Sequence, residues 1–130
     1  MPTLNYVQSD TRPFPTFSLF ITKPDGTREP IDVSGAGVTV RMHVRRAGDT
    51  TLKETLLGTK AIGWLEDDGT LTTSGVYAAP GKGGQVEFPL NPTTFDAAGS
   101  YEAEIEIQYA DGTVQTVYGT QTFSVRQQFA

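Results

Sequence analysis

The side chains best suited to acid–base chemistry are a single histidine and several carboxylates. His43 is the only histidine, and it stands between Arg41 and Arg45 on an alternating segment. A general base needs a nucleophile and an orienting carboxylate, and the sequence places neither beside it. The acidic residues fall mainly in turns or along the outer face of the strand 101–109, which does not resemble an enclosed pair of catalytic carboxylates. We therefore expect no catalytic residues and no enzyme activity.

Two further segments contain residue types that bind ions. Glu66–Asp68 forms an acidic turn, but Gly63 and Leu65 occupy positions where a calcium loop needs oxygen ligands. Gly81–Gly84 contains glycine and lysine without the spacing of a phosphate-binding loop, and no helix follows to supply a dipole. The chain has no cysteine, which excludes disulfides, thiolate nucleophiles and cysteine-ligated metals. The sequence predicts no metal and no cofactor.

The charge balance excludes two classes of partner. The net charge is −5 at pH 7, whereas nucleic-acid binders need a basic surface to displace counterions. The cluster at 41–46 is too small to outweigh the acidic residues, and the same balance disfavours anionic membranes. No run approaches the roughly 18 apolar residues of a membrane helix, and residues 1–10 lack the pattern of a secretion signal. We expect a soluble protein made in the cytoplasm.

Short apolar runs separated by turn residues predict an all-β fold. The 14 glycines and 8 prolines are spread between these runs, with a turn signal about every ten residues. In Val38–Arg45 every even-numbered residue is apolar and every odd-numbered one is polar, which is typical of a half-buried strand. No internal repeat or linker divides the chain, and Pro80–Gly84 is expected to be a mobile loop. The prediction is one domain over residues 1–130, an antiparallel β-sandwich of about 7–9 strands.

The segment Gly99–Tyr118 predicts a hairpin. Its odd-numbered residues from 101 to 109 are apolar or small, and Asp111-Gly112 is typical of a two-residue type I′ turn. Such a turn would pair Tyr109 with Val114, Ile107 with Thr116, Ile105 with Tyr118, and Gln108 with Gln115. Because Phe123 and Val125 then need a change of parity to reach the core, we predict a one-residue β-bulge at Gly119.

Protein-docking residues are the remaining functional candidates. Phe14 and Phe129 lie outside the main apolar alternation, near the two termini, and exposed apolar residues on extended ends favour protein contact. Arg41 and Arg45 face a row of glutamates in the expected sheet; this row is first interpreted as a solvated face and second as a docking surface. The candidate docking residues are Arg12, Phe14, Arg41, Arg45, Trp64, Gln127 and Phe129.

Trp64 is open to three interpretations. It lies between Gly63 and Leu65, beside the acidic turn. A core anchor is the first interpretation; a sugar-stacking platform shared with Tyr77, or a protein hot spot, are the alternatives.

Six segments form a pattern that extends along the chain: Tyr6–Pro13, Pro24–Gly26, Ile31–Ala36, Val38–Arg45, Ala98–Glu104 and Tyr109–Gly112. Together they resemble the immunoglobulin-like N-terminal domain of bacteriophage baseplate upper proteins and their short stand-alone relatives. The resemblance covers nearly the whole chain. Gly99–Ala103 also resembles the tyrosine corner of immunoglobulin folds, with Ala103 where antibody domains carry cysteine.

This resemblance implies a structural role in a virion. It suggests an immunoglobulin-like β-sandwich with extended terminal docking segments, acting as an adaptor in the tail, baseplate or neck that can anchor a fibre or tailspike. The implied partners are other virion proteins, in multiple copies of a symmetric assembly, after synthesis in the host cytoplasm. A capsid decoration protein is the alternative within this class, and a carbohydrate-binding module is the alternative from another class.

Overall fold

Strands account for most of the regular structure in the part of this protein that is described. The computed structural model describes residues 2–117 and 119–129. None of these residues lies in a helix long and apolar enough to cross a membrane. The described elements, in chain order, are β1 (Leu4–Val7), β2 (Thr16–Ser18), β3 (Phe20–Thr22), β4 (Arg28–Pro30), β5 (Thr39–Arg46), β6 (Glu54–Leu57), β7 (Thr59–Lys60), β8 (Trp64–Leu65), β9 (Leu71–Thr72), a 3₁₀ helix (Gly75–Ala78), β10 (Gln85–Glu87), β11 (Gly99–Gln108), β12 (Val114–Thr116) and β13 (Gln121–Arg126).

The larger sheet follows from two strongly alternating strands. β5 and β11 pair antiparallel from Tyr101 opposite Arg46 to Gln108 opposite Thr39. The sheet order is β1-β13-β11-β5-β6, and β12 also pairs with β11. Val40, Met42 and Val44 are at most 1% exposed, so the predicted inner face of β5 is confirmed. The pair β1–β13 is parallel, unlike the other pairs of this sheet.

A smaller layer covers the apolar face of this sheet. It contains the sheet β2-β10-β7 and the hairpins β3–β4 and β8–β9. Gly58 joins β6 in the first sheet to β7 in the second, and its amide donates to the carbonyl oxygen of Val40 at 2.8 Å. A Cβ at this corner would collide with Val86 and Phe88. The chain therefore changes layer where only glycine fits.

The core lies between the two layers. It combines Val40, Met42 and Ile107 of the larger sheet with Phe17 and Val86 of the smaller one. The all-β prediction is confirmed, and the two layers are consistent with a β-sandwich. The prediction of about 7–9 antiparallel strands is met only in part, because the described residues form more and shorter strands and include one parallel pair.

The predicted register of the β11–β12 hairpin is wrong by one residue. Val114 lies opposite Gln108, and Gln115 lies opposite Ile107. The Tyr109 amide donates to the carbonyl of Thr113, and the Gly112 amide donates back to the carbonyl of Tyr109. These bonds describe a type I turn followed by a glycine bulge, which holds one more residue than a type I′ turn. Val114 is consequently 59% exposed rather than buried.

The ladder along β11 is interrupted near Gly119, as predicted, but by a larger step. The Val117 amide donates to Ile105, whereas Gln121 already lies opposite Ala103. From the first position to the second, the chain advances four residues, from Val117 to Gln121, while its partner β11 advances only two, from Ile105 to Ala103. The interruption therefore contains two extra residues rather than the predicted one, because the longer turn shifts the register of β12 by one residue. Phe123 and Val125 are buried as predicted. The predicted partner of Ile105, Tyr118, lies outside the described residues.

Three hairpins share one Asp-Gly-Thr turn. In the first, the Lys23 amide donates to Thr27 at 2.8 Å and the Gly26 amide donates to Lys23 at 2.9 Å. The other two turns repeat both bonds at the same distances, and their glycines have φ values of 87–88° like that of Gly26. Each aspartate also accepts a hydrogen bond from the amide of the threonine two residues later. The turns lie at 25–27, 68–70 and 111–113.

The aspartates of these turns predict how the free energy of unfolding depends on pH. The hydroxyl and then the amide of the threonine lower the pKa of Asp25 and Asp111, and the amide and then the hydroxyl lower the pKa of Asp68. Because the folded pKa lies below the ordinary 3.8, the stabilisation is complete above that value and is lost as the pH falls through the lowered folded pKa. We expect the variant with Asp25→Asn, Asp68→Asn and Asp111→Asn to show a shallower loss of unfolding free energy in urea titrations from about pH 6 to about pH 2. An unchanged slope would contradict this assignment.

The loop Pro80–Gly84 differs from its prediction as a mobile loop. Gly81, Gly83 and Gly84 are buried. The Gly81 carbonyl accepts from Val33 at 3.0 Å, and the Gly84 carbonyl accepts from Leu19 at 2.8 Å. The glycines allow the backbone to pack closely against neighbouring backbone rather than to move freely.

Candidate functional site

Parallel pairing brings the two terminal segments to one end of the molecule. β1 and β13 run in the same direction, with Leu4 opposite Phe123 and Val7 opposite Arg126. The Gln8 amide extends this pairing by donating to the carbonyl of Arg126 at 2.9 Å. The residues that follow each strand therefore leave the sheet side by side.

A tight reversal folds the segment after β1 back over Tyr6. The Asp10 amide donates to Val7 at 3.0 Å, and the Ser9 amide donates to Phe95 at 2.8 Å. The Tyr6 ring is buried in the core, while its hydroxyl donates to the carbonyl of Pro13 at 2.6 Å. Burial raises the pKa of Tyr6 to about 12, so this hydroxyl still donates at alkaline pH where a tyrosine of ordinary pKa 10.0 ionises.

The result is a groove of about 360 Å³, called here the arginine groove. Arg12 and Arg126 both line it. The Arg12 guanidinium lies 5.1 Å from the centre of the Phe14 ring, and that of Arg126 lies 4.7 Å from the centre of the Phe129 ring. Phe129 is 95% exposed. The full lining is Asn5, Tyr6, Val7, Asp10, Arg12, Pro13, Ser124 and Arg126.

The charged face formed by β5 and β11 is paired in part within the protein. Arg45 lies opposite Glu102 in the register, and their Nε and Oε1 atoms are 2.7 Å apart. Arg41 lies opposite Glu106 but donates to Gln108 at 2.7 Å instead. These contacts fit the interpretation of this row as a solvated, internally paired face, where each exposed pair contributes roughly 0–1 kcal/mol.

His43 has closer neighbours than its sequence context indicated. Its Nδ1 lies 2.9 Å from the Thr55 hydroxyl, and its Nε2 lies 3.7 Å from a Glu106 carboxylate oxygen. A hydroxyl, an imidazole and a carboxylate thus meet on the sheet face. The depression lined by His43 measures about 70 Å³, far below the roughly 300–1,000 Å³ of small-molecule sites. The geometry offers a substrate no enclosure there.

The carboxylates of the acidic turn point to separate partners. Asp67 pairs with the Arg28 side chain, Asp68 accepts from the Thr70 amide, and Glu66 accepts from a threonine hydroxyl of β9. Within residues 2–117 and 119–129, no three histidine or acidic side chains gather closely enough to hold a metal ion.

Trp64 is buried, with 8% of its surface exposed. Its ring lies 6.5 Å from that of Tyr77, and the Arg28 guanidinium lies 5.3 Å from its centre. Arg28 also stacks on Phe20 at 4.6 Å, so it connects the hairpins β3–β4 and β8–β9. Trp64 is therefore buried, as the core interpretation predicts, although it packs against Tyr77 and Arg28 rather than within the main core cluster; its burial contradicts the alternative of an exposed platform.

Among the predicted docking residues, the structure brings together the two terminal pairs. Arg12 and Phe14 lie at the end of the molecule where Gln127 and Phe129 leave β13. Arg41 and Arg45 lie two strands away on the larger sheet, and Trp64 belongs to the other layer.

Arg126 is the residue of this site that sequence reasoning missed. The sequence feature that could have identified Arg126 is its place as a polar residue between buried Val125 and Gln127. Its position beside the β1 segment depends on a pairing between residues more than a hundred positions apart.

Comparison with known proteins adds no relative. No family model matches the chain, and neither a curated protein nor a solved structure matches it.

Proposed function

We propose that this chain is a non-enzymatic structural adaptor of a bacteriophage virion, mounted in the tail, baseplate or neck and docking neighbouring subunits through the arginine groove. The resemblance of its segments to phage baseplate domains supports the virion assignment. The observation that carries the docking assignment is the convergence of Arg12 with Phe14 and Arg126 with Phe129 at one end of a rigid sheet. Rigid elements that present exposed aromatic and arginine side chains favour protein contacts.

The finer fold assignment, an immunoglobulin-like sandwich, is part of this proposal. A larger sheet, in which the last strand β13 lies between β1 and β11, faces a smaller one, with connections that pass between the layers. Tyr101 lies near the start of β11 and donates from its hydroxyl to the carbonyl of Ala97 at 2.6 Å. This bond has the form of a tyrosine corner, which is typical of immunoglobulin folds.

The hydrogen bond from Tyr101 to Ala97 is expected to contribute measurably to the free energy of unfolding. Tyr101 is fully buried, so Tyr101→Phe leaves the Ala97 carbonyl without its partner. We expect a loss of about 1–2 kcal/mol in the free energy of unfolding. Tyr109→Phe is the matched control, because the Tyr109 hydroxyl bonds to Gln115 at an exposed site, and its expected cost is below about 0.5 kcal/mol. Urea denaturation of both variants checks this, and equal costs would contradict a structural role for the corner.

No observation favours the carbohydrate-binding alternative. Such a module presents exposed aromatic side chains for stacking on sugars, whereas Trp64 is buried against Tyr77 and Arg28. A capsid decoration protein would be present in more copies per particle than a tail protein, so the copy number distinguishes the two roles.

The test is to count this chain in purified particles by quantitative mass spectrometry. A tail, baseplate or neck role predicts a few to some dozens of copies, and decoration predicts hundreds. Absence from the particles would contradict the proposal. Truncation of residues 1–14 is unsuitable as a docking test because β1 and the buried Tyr6 would be lost with it. Removal of residues 127–130 leaves every described strand in place and is expected to weaken incorporation.

A further inference from the structure

Among the residues that the structure describes, the arginine groove holds the two cations that reach no polar group beyond their immediate neighbours in the chain. Within the described residues, Arg12 makes no hydrogen bond or ion pair, and Arg126 donates only to the carbonyl of its neighbour Gln127, at 3.0 Å. Every other lysine and arginine reaches a polar group elsewhere in the protein. The pairs are Lys23–Glu29, Arg28–Asp67, Arg41–Gln108, Arg45–Glu102, Arg46–Ala98, Lys53–Asp96, Lys60–Gly35 and Lys82–Asp32.

Both guanidiniums are held in a way that leaves their donors available. Each lies over a phenylalanine ring, at 5.1 Å for Arg12 and 4.7 Å for Arg126. Stacking uses the flat face of a guanidinium and leaves its N–H groups at the edge for a planar acceptor. In the β1–β13 pair beside them, the uncharged side chains of Asn5 and Ser124 lie opposite each other.

The guanidiniums of Arg12 and Arg126 suit separate carboxylates better than a chain of phosphates. Arginine forks bind both groups bidentately. However, Asp10 also lines the groove, and the whole chain carries a net charge of −5. A polyphosphate backbone would be repelled along its length, whereas single carboxylates separated by neutral residues avoid that repulsion. The exposed Phe129 and half-buried Phe14 add apolar contacts at the two sides.

We propose that the arginine groove binds an acidic segment of a partner protein, with one carboxylate on Arg12 and a second on Arg126. This inference rests on the proposed function for the identity of that partner as a virion protein. The volume of about 360 Å³ suits a short stretch of side chains rather than a whole domain face.

Binding can be measured with the full chain and a defined probe. The probe is a fluorescein-labelled peptide of sequence Leu-Glu-Ala-Glu-Leu, and its control has glutamine for both glutamates. We expect the acidic peptide to bind, more weakly as salt rises, and the control peptide not to bind. Arg12→Gln and Arg126→Gln should each weaken binding about tenfold. The control variant Lys23→Gln removes an exposed cation already paired with Glu29 and should leave binding unchanged.

Each other outcome overturns the inference. No binding at millimolar peptide would exclude a carboxylate site, and equal competition by inorganic phosphate would exclude the preference for carboxylates. Concentration-dependent self-association that both arginine variants abolish would assign the groove to a second copy of this chain. Circular dichroism of the variants confirms that they fold, since neither arginine is buried.

Particle incorporation separates this inference from the proposed function. If the chain is present in particles and the double variant Arg12→Gln with Arg126→Gln is incorporated like the wild type, the groove inference fails and the proposed function stands. If the chain is absent from particles while the peptide binds as expected, the proposed function fails and the chemistry of the groove stands.

Discussion

Phe95→Ala is expected to lower the free energy of unfolding by about 3–5 kcal/mol. Phe95 is completely buried, and its ring centre lies 5.0 Å from those of Tyr101 and Phe123 and 5.2 Å from that of Tyr6. Truncation would open a cavity among three aromatic rings from β1, β11 and β13. Since native domains are stable by only about 5–15 kcal/mol, this change removes a large share of the total.

Two further variants make the Phe95 prediction decisive. Phe95→Leu fills more of the cavity and should recover at least half of the loss, so a measurable protein remains if the alanine variant does not fold. Phe129→Ala removes the same side chain at a position that is 95% exposed and should change stability by less than about 0.5 kcal/mol. Guanidinium titrations measure all three. A similar cost at both positions would contradict the placement of Phe95 in the core.

Gly83→Ala is the second change with a large expected effect. A Cβ at this position would overlap the backbone carbonyl of Gly63. The obstacle is main chain, which cannot rotate away as a side chain can, so the strand entry at Trp64 would have to shift. We expect a loss of about 3 kcal/mol or more in unfolding free energy.

The control lies one residue away in the same loop. Lys82→Ala removes an exposed ion pair with Asp32, whose atoms are 3.2 Å apart, and its expected cost is roughly 0–1 kcal/mol. Hydrogen exchange of the amides around Trp64 should quicken in Gly83→Ala and remain unchanged in Lys82→Ala. Full tolerance of Gly83→Ala would restore the prediction of a mobile loop at 80–84.

Alternation made β5 and β11 predictable from sequence. A period of two with one apolar face allows a single placement, and burying that face excludes a shift by one residue. The glycine-rich loop at 80–84 was not predictable, because glycine serves both a mobile segment and a close backbone approach. Only the neighbours of Gly83, which come from elsewhere in the chain, decide between the two.

The turn of the β11–β12 hairpin shows a local ambiguity. Asp-Gly fits both a type I′ turn and a type I turn with a glycine bulge. The hydrogen bonds from Thr113 to Asp111 accompany the second form, and the same threonine follows both other Asp-Gly turns. The tripeptide Asp-Gly-Thr, rather than Asp-Gly alone, therefore indicates the observed register.

The candidate site was predictable only in part. Phe14 and Phe129 were identified by their position outside the alternating strands, but their convergence depends on the parallel pair β1–β13. Parallel pairing of the first and last strands is a long-range contact without a local sequence signal. Arg126 was missed for that reason, although its neighbour Gln127 was identified.

The most direct test of a docking adaptor is a cryo-electron microscopy reconstruction of the particle in which this chain is located. We expect the chain to occupy the tail, baseplate or neck, with Arg12 and Arg126 facing carboxylates of a neighbouring subunit. A reconstruction in which the arginine groove faces solvent, while another surface of the chain makes every contact, would contradict it.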